Sequence, residues 1–262
     1  MKRVLKTAAP LACAGVVFSG TSAQAQSLFA TTVVEYTPGS NPASGFTDPT
    51  AALGSPTRFG VGGAITPFNS SFGSDETVSI GEGGSLTLGF DQTVLDDPNN
   101  PFGIDLLVFG NSFFGLDFGS GLATGAIFSE GGTIELSENG VDWFEVVGVE
   151  ADGLFPTLGY QDVTEPFPST AGSVLTDFHT PVDPNLDVTG MTIVEIAAAY
   201  NGSGGGAGID IGSTGLSAVN FIRFSNAIGS GVTPEIDAVS IVVPAPMSVL
   251  ALTPLARRRR RR

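Results

Sequence analysis

The sequence predicts an all-β protein, built as an antiparallel β-sandwich with long loops. About eight short segments have the residue patterns of strands, turn signals separate them, and no stretch has the pattern of a convincing amphipathic helix. The 36 glycines and 17 prolines among 262 residues supply the turns that such an architecture needs. About 220 residues lie between the two unusual ends of the chain, enough for one large β domain and too few for two typical domains with a linker.

The first 25 residues predict a secretory signal peptide. Three basic residues precede an apolar run from Ala8 to Phe18, and the small residues Ala23-Gln24-Ala25 form a cleavage site. The folded domain is therefore expected over residues 26–243, followed by a tail over residues 244–262. The single cysteine, Cys13, lies inside the signal peptide, so the exported chain is expected to have neither disulfides nor thiolate metal sites.

Charge restricts the partners of the exported segment. Between the signal peptide and the tail, only Arg58 and Arg223 are basic, and they face all 26 acidic residues of the chain, which makes a formal net charge of −24. Such a surface repels nucleic acid and anionic lipid headgroups, and it attracts divalent cations. Nucleic acid is therefore excluded as an expected partner.

Period-two alternation and β-branched runs locate the strands. Strands are predicted at Thr31–Tyr36, Thr77–Ile80, Ser85–Phe90, Ile104–Phe109, Val219–Ser225 and Ile236–Val243, with a hairpin over Thr133–Val149 that turns at Asn139-Gly140. Thr192–Tyr200 fits a strand or a short helix, and its β-branched residues favour the strand. The turn-rich stretches 37–74, 115–132, 150–187 and 201–208 have no sustained period and are predicted to be loops, the first with room for one short strand.

The stretch Gly81–Phe114 organises this pattern, because it places two strand signals around a dense acidic turn. Ser85–Phe90 alternates as in a strand with one buried face, whereas the unbroken apolar run Leu106–Phe109 predicts burial on both faces. We expect these two strands to pair. The connection between them brings many carboxylate and amide oxygens together without a helix to space them.

Six short motifs follow one another along the domain. They are Ala52–Pro56, Gly84–Leu88, Gly103–Phe109, Ile134–Trp143, Gly208–Ile211 and the pair Phe221–Phe224 with Glu235–Val239. In this order and spacing they resemble the galactose-binding-like jelly roll, the sandwich of discoidin and many carbohydrate-binding modules, with Asn139 where that family usually has Asp. The resemblance implies a jelly-roll topology and says little about the ligand.

The C-terminal tail resembles a second family. Val243-Pro244-Ala245-Pro246, an apolar piece over residues 247–256 and six arginines are similar to the PEP-CTERM sorting tail that exosortase systems recognise. Ala245 replaces the usual Glu, and the apolar piece is about 10 residues long against the ~20 of a membrane-spanning helix. The resemblance implies Pro244, Ala245 and Pro246 as the sorting motif, exosortase-type machinery as a partner, a cell-surface or extracellular location, and at most transient membrane association.

Acidic and amide side chains at strand ends suggest a metal site. Asp105, Asn111, Asp210, Glu235 and Asp237 lie at or next to strand ends, where the loops of a jelly roll converge. One structural Ca²⁺ bound by this set is the metal hypothesis, because calcium takes carboxylate and carbonyl oxygens. The alternative, that these residues are turn formers on a solvated face, stays open, since the connection Asp96–Asp105 lacks EF-hand spacing.

Aromatic residues in the predicted loops are the candidates for stacking on a glycan. They are Phe113, Phe114, Phe118, Phe155 and Tyr160, of which Phe114 and Tyr160 are the chosen ligand contacts. Trp143 has apolar neighbours and is expected in the core. Arg223 is expected to pair with a buried carboxylate, since an unpaired charge in a strand would be costly.

The sequence favours a non-catalytic function. Glu135 and Glu145 are suited to act as acid and nucleophile only if they lie about 5 Å apart. His179, the one histidine, has no cysteine or GxSxG motif beside it. We therefore expect a secreted cell-surface or extracellular-matrix protein that associates with the envelope or with extracellular polysaccharide. A carbohydrate-binding module is the alternative, and a glycan-active enzyme comes third.

Overall fold

The computed structural model describes residues 26–244, in which thirteen strands and one α-helix form the regular structure together with three short 3-10 turns. The strands are β1 Thr32–Thr37, β2 Phe59–Gly60, β3 Gly63–Ala64, β4 Val78–Ser79, β5 Ser85–Leu95, β6 Leu106–Gly110, β7 Phe113–Asp117, β8 Leu122–Phe128, β9 Thr133–Ser137, β10 Phe144–Glu145, β11 Ala207–Ile209, β12 Ala218–Ser225 and β13 Glu235–Ile241. The helix α1 spans Ile193–Ala199 and the 3-10 turns span Pro49–Ala52, Pro101–Gly103 and Ile211–Thr214.

Two antiparallel sheets share one hydrophobic core. The five-stranded sheet has the order β1-β5-β12-β9-β10, and the four-stranded sheet has the order β11-β6-β13-β4. Leu88 and Ile222 of the first sheet belong to the same buried cluster as Val108 and Val239 of the second. The predicted antiparallel β-sandwich is therefore confirmed, with two small ribbons, β2–β3 and β7–β8, added to it.

Strand β6 is covered on both faces, as its unbroken apolar run predicts. Leu106 and Val108 point into the core between the sheets, while Leu107 and Phe109 belong to a second cluster on the opposite face. There the ring of Phe109 meets the ring of Phe178 edge-on, with centroids 5.1 Å apart. The irregular segment that carries Phe178 therefore acts as a further layer over the four-stranded sheet.

The expected pairing of the strands on either side of the acidic turn is wrong. β5 pairs with β1 and β12, whereas β6 pairs with β11 and β13 in the other sheet. The polar connection between them crosses from one sheet to the other and is therefore not a hairpin turn. It ends at Asp105, directly before β6, and this position decides the geometry of the candidate site.

Three predicted loops contain strands. The stretch 37–74, expected to have room for one short strand, contains the ribbon β2–β3. Residues 115–132 include the end of β7 and all of β8, which pair with a register shift between Phe114 and Leu116. Glycines such as Gly115 and Gly125 interrupt the alternation that would have revealed this ribbon. Residues 207–209 form β11 at the edge of the four-stranded sheet, where a glycine-rich loop was expected.

The strand favoured over Thr192–Tyr200 is wrong, because this stretch forms α1, the short helix that was its alternative. Thr192 and Glu195 make a capping box: the Thr192 hydroxyl accepts from the Glu195 N–H, and the Glu195 carboxylate accepts from the Thr192 N–H at 2.8 Å. This cap and the run Ala197–Ala199 outweigh the strand preference of the β-branched residues before them. Within residues 26–244, no helix is long and apolar enough to cross a membrane.

Arg58 holds the irregular segment to the rest of the fold. Its guanidinium donates to the carbonyl of Gly159 at 2.8 Å and to both the hydroxyl and the carbonyl of Thr176, at 2.9 and 3.0 Å. It also lies 3.8 Å above the ring of Phe178. One of the two arginines of residues 26–244 is thus used for loop packing inside the protein.

Candidate metal centre

Asp105 is the fixed centre of the candidate site. Its backbone N–H donates to Ile209 of β11 and its carbonyl accepts from Val242 beyond β13, both at 2.8 Å. The position of Asp105 at the start of β6 therefore follows from the pairing of three strands. The side chain is fully buried, and burial raises the pKa of its carboxyl group against several hydrogen bonds that lower it.

The Asp105 carboxylate ties two connections together. Oδ1 accepts from the backbone N–H of Asp97 at 3.0 Å and from the Asn100 side-chain amide at 2.9 Å. Oδ2 accepts from the backbone N–H of Ile211 at 3.0 Å. The turn between β5 and β6 and the turn after β11 are therefore joined through one carboxylate.

Two exposed carboxylates lie beside this buried one. Asp96 follows β5 and Asp210 follows β11, and one oxygen from each of Asp96, Asp105 and Asp210 lies within 4.8 Å of the others. The oxygens of Asp96 and Asp210 also converge on Gly212, where an added Cβ would lie 2.9 and 3.1 Å from them. Two oxygens that bind the same Ca²⁺ at 2.3–2.6 Å are at most about 5 Å apart, so this spacing suits a shared ion.

No basic side chain of the described residues balances this negative charge. Arg58 and Arg223 are the two arginines of residues 26–244, and they bond to the Thr176 loop and to Glu135. Asn100 adds a further oxygen donor near the site, because its Oδ1 is buried and has no hydrogen-bond partner. Hard oxygen ligands whose negative charge no basic side chain balances are the groups that bind a divalent cation.

The structure divides the sequence-predicted ligand set among three places. Asp105 and Asp210 come together, and Asp96 joins them although it was absent from the predicted set. Asn111 and Glu235 lie at the other end of the β6–β13 pair, near the buried Asp152. Asp237 occupies a third place, where its carboxylate accepts from the backbone and hydroxyl of Thr57 at 3.0 to 3.2 Å. The five predicted ligands therefore do not surround one ion.

Glu235 and Asp152 form a second acidic group. Asp152 accepts from the backbone N–H of Ser112 at 2.7 Å and of Glu130 at 3.1 Å, yet burial raises its pKa to about 7. Burial, together with the neighbouring Glu130 carboxyl group, raises the pKa of Glu235 to about 9. The Oε2 atom of Glu235 is buried without a partner, which fits a protonated side chain at neutral pH.

The chosen aromatic contacts are buried. Phe114 is 4% exposed and Tyr160 is 8% exposed, so neither is the exposed loop platform that the sequence suggested. Instead, an apolar pocket of about 360 Å³ opens beside Phe114, and three exposed rings line it, those of Phe118, Phe128 and Phe167. The Phe118 and Phe167 rings stack with centroids 6.2 Å apart.

Of the two glutamates considered for catalysis, Glu135 is held in an ion pair and Glu145 is exposed. Glu135 and Glu145 face each other across β9 and β10, but Arg223 donates to both oxygens of Glu135 at 2.8 Å. Hydrogen bonding from Arg223 lowers the pKa of Glu135, which opposes a role as a general acid. Arg223 thus pairs with a carboxylate as expected, but Glu135 is half-buried rather than buried. Trp143 is not in the core as expected: it is half-buried, with its ring 4.1 Å from the Arg223 guanidinium.

No family model matches this chain, and no curated protein matches it at a significant level. The fold and the geometry of the acidic side chains are therefore the observations from which a function is argued.

We expect the free energy of unfolding to fall as pH rises from about 5 to 9. The folded-state pKa values of Asp152, Asp237 and Glu235 are about 7, 8 and 9, all above the values of about 4 in an unfolded chain. Each carboxyl group contributes fully to the free energy of unfolding below its pKa in the unfolded chain, and this contribution is lost as pH rises through its pKa in the folded protein. The reason is that the folded protein keeps protons that the unfolded chain releases.

Glu235→Gln should therefore raise the free energy of unfolding at pH 8 by roughly 1–3 kcal/mol and change it little at pH 4.5, as measured by urea unfolding. Glu150→Gln, at an exposed position, is the matched control. Equal effects of Glu235→Gln at both pH values would show that proton binding by this carboxyl group does not affect stability.

Proposed function

We propose that this chain is an exported, non-catalytic surface or matrix module whose fold is stabilised by one calcium ion at Asp96, Asp105 and Asp210. The observation that carries the proposal is the convergence of three carboxylate oxygens within 4.8 Å around the buried Asp105. The ion would be held by these side chains, and it would supply positive charge to a part of the fold where the described residues supply none.

Calcium suits the composition of this site and the expected environment. The donors are oxygens only, and Ca²⁺ tolerates irregular arrangements of six to eight oxygen ligands, whereas Mg²⁺ demands a near-ideal octahedron and keeps its waters. Outside the cell, the tight binding of intracellular calcium sensors is unnecessary, since extracellular modules bind calcium with a Kd of about 10⁻⁴–10⁻³ M. The site is also positioned to join two long connections, as a structural ion does.

The non-catalytic part of the proposal is supported by the state of the acidic groups. The Glu135 carboxylate is held by Arg223, and Asp152 and Glu235 are buried. His179 Nδ1 lies 3.0 Å from the carbonyl of Ile241, at the end of β13, rather than beside a nucleophile. These groups hold the fold together.

Export and sorting rest on the two ends of the chain. The predicted signal peptide, residues 1–25, and Ala245, Pro246 and the arginine run lie outside the described residues, and Pro244 is the last described residue. The proposal is supported by the charge of −24 without a lysine, which suits an exported protein kept soluble outside the cell. Exosortase-type machinery is the proposed partner for the tail, and extracellular polysaccharide is the proposed surrounding.

A carbohydrate-binding module is the second candidate, and the phenylalanine pocket favours it. The exposed rings of Phe118, Phe128 and Phe167 offer flat apolar faces of the kind on which sugar rings stack. The galactose-binding-like resemblance points to the same class, and the backbone of the acidic turn after Asp117 supplies polar groups next to Phe118.

Chelation tests the calcium site. Brief EDTA treatment of the folded protein should lower its Tm, and calcium should restore it; saturation at 100 times Kd corresponds to ~2.7 kcal/mol. Asp210→Asn removes an exposed ligand and should make the Tm indifferent to this treatment, whereas Glu138→Gln, which removes the same charge elsewhere, should behave as wild type.

Sodium chloride at matched ionic strength is the control for that experiment, because screening of acidic repulsion also stabilises the fold. A wild-type Tm that does not respond to millimolar calcium beyond the sodium chloride effect would exclude the site.

Processing of the native protein tests export. Mass spectrometry of extracellular or surface material should find a new N-terminus at or near Gln26 and no peptide beyond about Pro246, since both ends are expected to be removed. Recovery of the intact run Arg257–Arg262 from that material would contradict the sorting hypothesis.

A glycan array tests the second candidate. If the module binds a polysaccharide, Phe118→Ser should reduce the affinity at least about ten-fold. The variant removes an exposed aromatic face, and stacking of a sugar ring on such a face contributes binding free energy of this size. Phe102→Ser, at another exposed phenylalanine outside the pocket, is the control. Absence of binding to any glycan by the wild type would leave the surface-module function without a sugar ligand.

A further inference from the structure

A cleft of about 910 Å³ lies between the edge strands of the two sheets. Gly208 of β11, at the edge of the four-stranded sheet, and Glu145 of β10, at the edge of the five-stranded sheet, both line it. Residues 153–155 and 181–182 of the irregular segment complete its walls. None of the residues of the proposed calcium site or of the phenylalanine pocket lines this cleft, so it is a separate feature of the surface.

The wall formed by β11 is an unpaired strand edge. Gly206 exchanges two backbone hydrogen bonds with Phe155, at 2.7 and 3.0 Å, so its N–H and carbonyl face away from β6. Backbone groups two residues apart in a strand point to the same side, and Gly208 therefore faces the cleft. No backbone bond from another segment of residues 26–244 reaches Gly208 there. Gly153, which a continued ladder would place opposite it, instead accepts from the Ser112 hydroxyl at 2.8 Å.

The two faces of this edge differ in chemistry. Ala207 and Ile209 belong to the core between the sheets. A Cβ added at Gly208 would lie 2.6 Å from Cδ1 of Ile104, which belongs to the cluster on the outer face. A residue paired with Gly208 therefore directs its side chain toward the apolar Ile104. Its neighbours in an added strand direct theirs to the opposite face, toward the five-stranded sheet, where Glu145 lines the cleft.

The described lining of the cleft is negatively charged. Glu130, Glu145 and Glu150 line it, and neither arginine of residues 26–244 does. Glu145 and Glu150 are exposed, and the Glu150 carboxylate lies 3.8 to 4.0 Å from the position of a Cβ at Gly131. The buried Asp152 fixes this wall, because its carboxylate accepts from the Glu130 N–H at 3.1 Å. An occupant with positive charge complements such a cleft.

We propose that this cleft is a docking site for an extended segment of a partner protein in which apolar residues alternate with arginine or lysine. The segment adds a strand to β11 and pairs antiparallel with Gly208, as Phe155 does with Gly206. Its apolar side chains contact Ile104, and its cationic side chains lie on the side of Glu145.

A peptide fits this cleft better than a glycan does. The free N–H and carbonyl of Gly208 match the hydrogen-bonding groups of one peptide residue. Among the described residues that line the cleft, the aromatic one is Phe155, which is only 7% exposed and therefore offers no face on which a sugar ring could stack. The docking site requires neither the proposed calcium ion nor binding of a polysaccharide.

Synthetic octapeptides test the alternation. The probe has four Arg-Val repeats, since valine favours strands, and its affinity for the purified full-length protein is measured by calorimetry at low ionic strength. A peptide of four arginines followed by four valines has the same composition and charge but cannot place the two residue types on opposite faces of a strand. It should bind at least about ten-fold more weakly than the alternating probe.

Methylation of peptide nitrogens tests the strand pairing apart from charge. The valines of the probe are the residues that pair with Gly208, because their side chains share its face. N-methylation of the valines should therefore weaken binding at least about ten-fold, since the bond to the Gly208 carbonyl is lost and the methyl group blocks the approach. N-methylation of the arginines, whose N–H groups point away from β11, should change the affinity by less than about two-fold.

Glutamate variants test the place of binding. Glu145→Gln with Glu150→Gln should weaken binding of the alternating probe about five-fold at low ionic strength, and by less as salt is added. Glu138→Gln with Glu165→Gln removes the same charge from exposed positions outside the cleft and is the matched control. The control pair should change the affinity by less than about two-fold.

Equal affinity for the alternating and block peptides, or an equal loss on methylation of valines and of arginines, would show attraction by charge alone and overturn the proposal. No binding of the alternating probe, or an equal effect of the control pair of variants, would also overturn it. Binding of a glucosamine oligomer but of no peptide would assign the cleft to a cationic glycan instead. Failure of the proposed function would appear separately, in the Tm response to calcium and on the glycan array.

Discussion

Burial of carboxylates without basic partners is the constraint on which this structure depends. Residues 26–243 contain two arginines and no lysine for 26 acidic residues, so ion pairs cannot satisfy all the acidic groups that the fold encloses. Backbone N–H groups do so instead: Glu76 accepts three of them, and Asp105 and Asp152 accept two each. Because each such bond fixes a peptide group, the acidic side chains hold the long loops in place.

Each of the two arginines contacts several groups at once, so that a single guanidinium fixes both polar groups and an aromatic ring. Arg58 joins Gly159 and Thr176 of the irregular segment to the start of the chain's first ribbon, and its planar guanidinium covers Phe178. Arg223 pairs with Glu135 directly opposite it on the neighbouring strand, with Trp143 on its face. Neither is free to bind an anionic ligand, which leaves the described surface suited to cations and neutral molecules.

Local patterns were sufficient to predict most strands of the two main sheets, but not how those strands pair. Strands with clear alternation or an unbroken apolar run, such as β5 and β6, were found, because burial of one or both faces dictates their residues. At α1 a strand was preferred to a short helix, because the β-branched residues were given more weight than the capping box that Thr192 and Glu195 form three residues apart. The β7–β8 ribbon was missed because its glycines remove the side chains that create a pattern.

The candidate site was predicted in part for a similar reason. Asp105 and Asp210 flank strands that pair with each other, and their proximity follows from strand order. Asp96 was overlooked although it directly follows β5. Glu235 and Asp237 lie on β13, the other neighbour of β6, but at the end of the β6–β13 pair that is far from Asp105. The register shows this, because Ile241 pairs with Leu106, next to Asp105, whereas Ile236 pairs with Gly110. Which end of a strand a residue occupies depends on register and direction, and these are set by tertiary pairing rather than by local sequence.

The two acidic ends of the β6–β13 pair explain how a protein without disulfides can keep such long loops ordered. Each end joins segments that are far apart in sequence, 106 residues from Asp105 to Ile211 and 180 residues from Thr57 to Asp237. A disulfide would stabilise such contacts by restricting the unfolded chain. The ion proposed at Asp105 would stabilise its end by mass action, because the unfolded chain does not hold these oxygens together. It would also reduce the self-repulsion of a segment with a formal charge of −24, so one ligand would meet both the local and the global electrostatic demand.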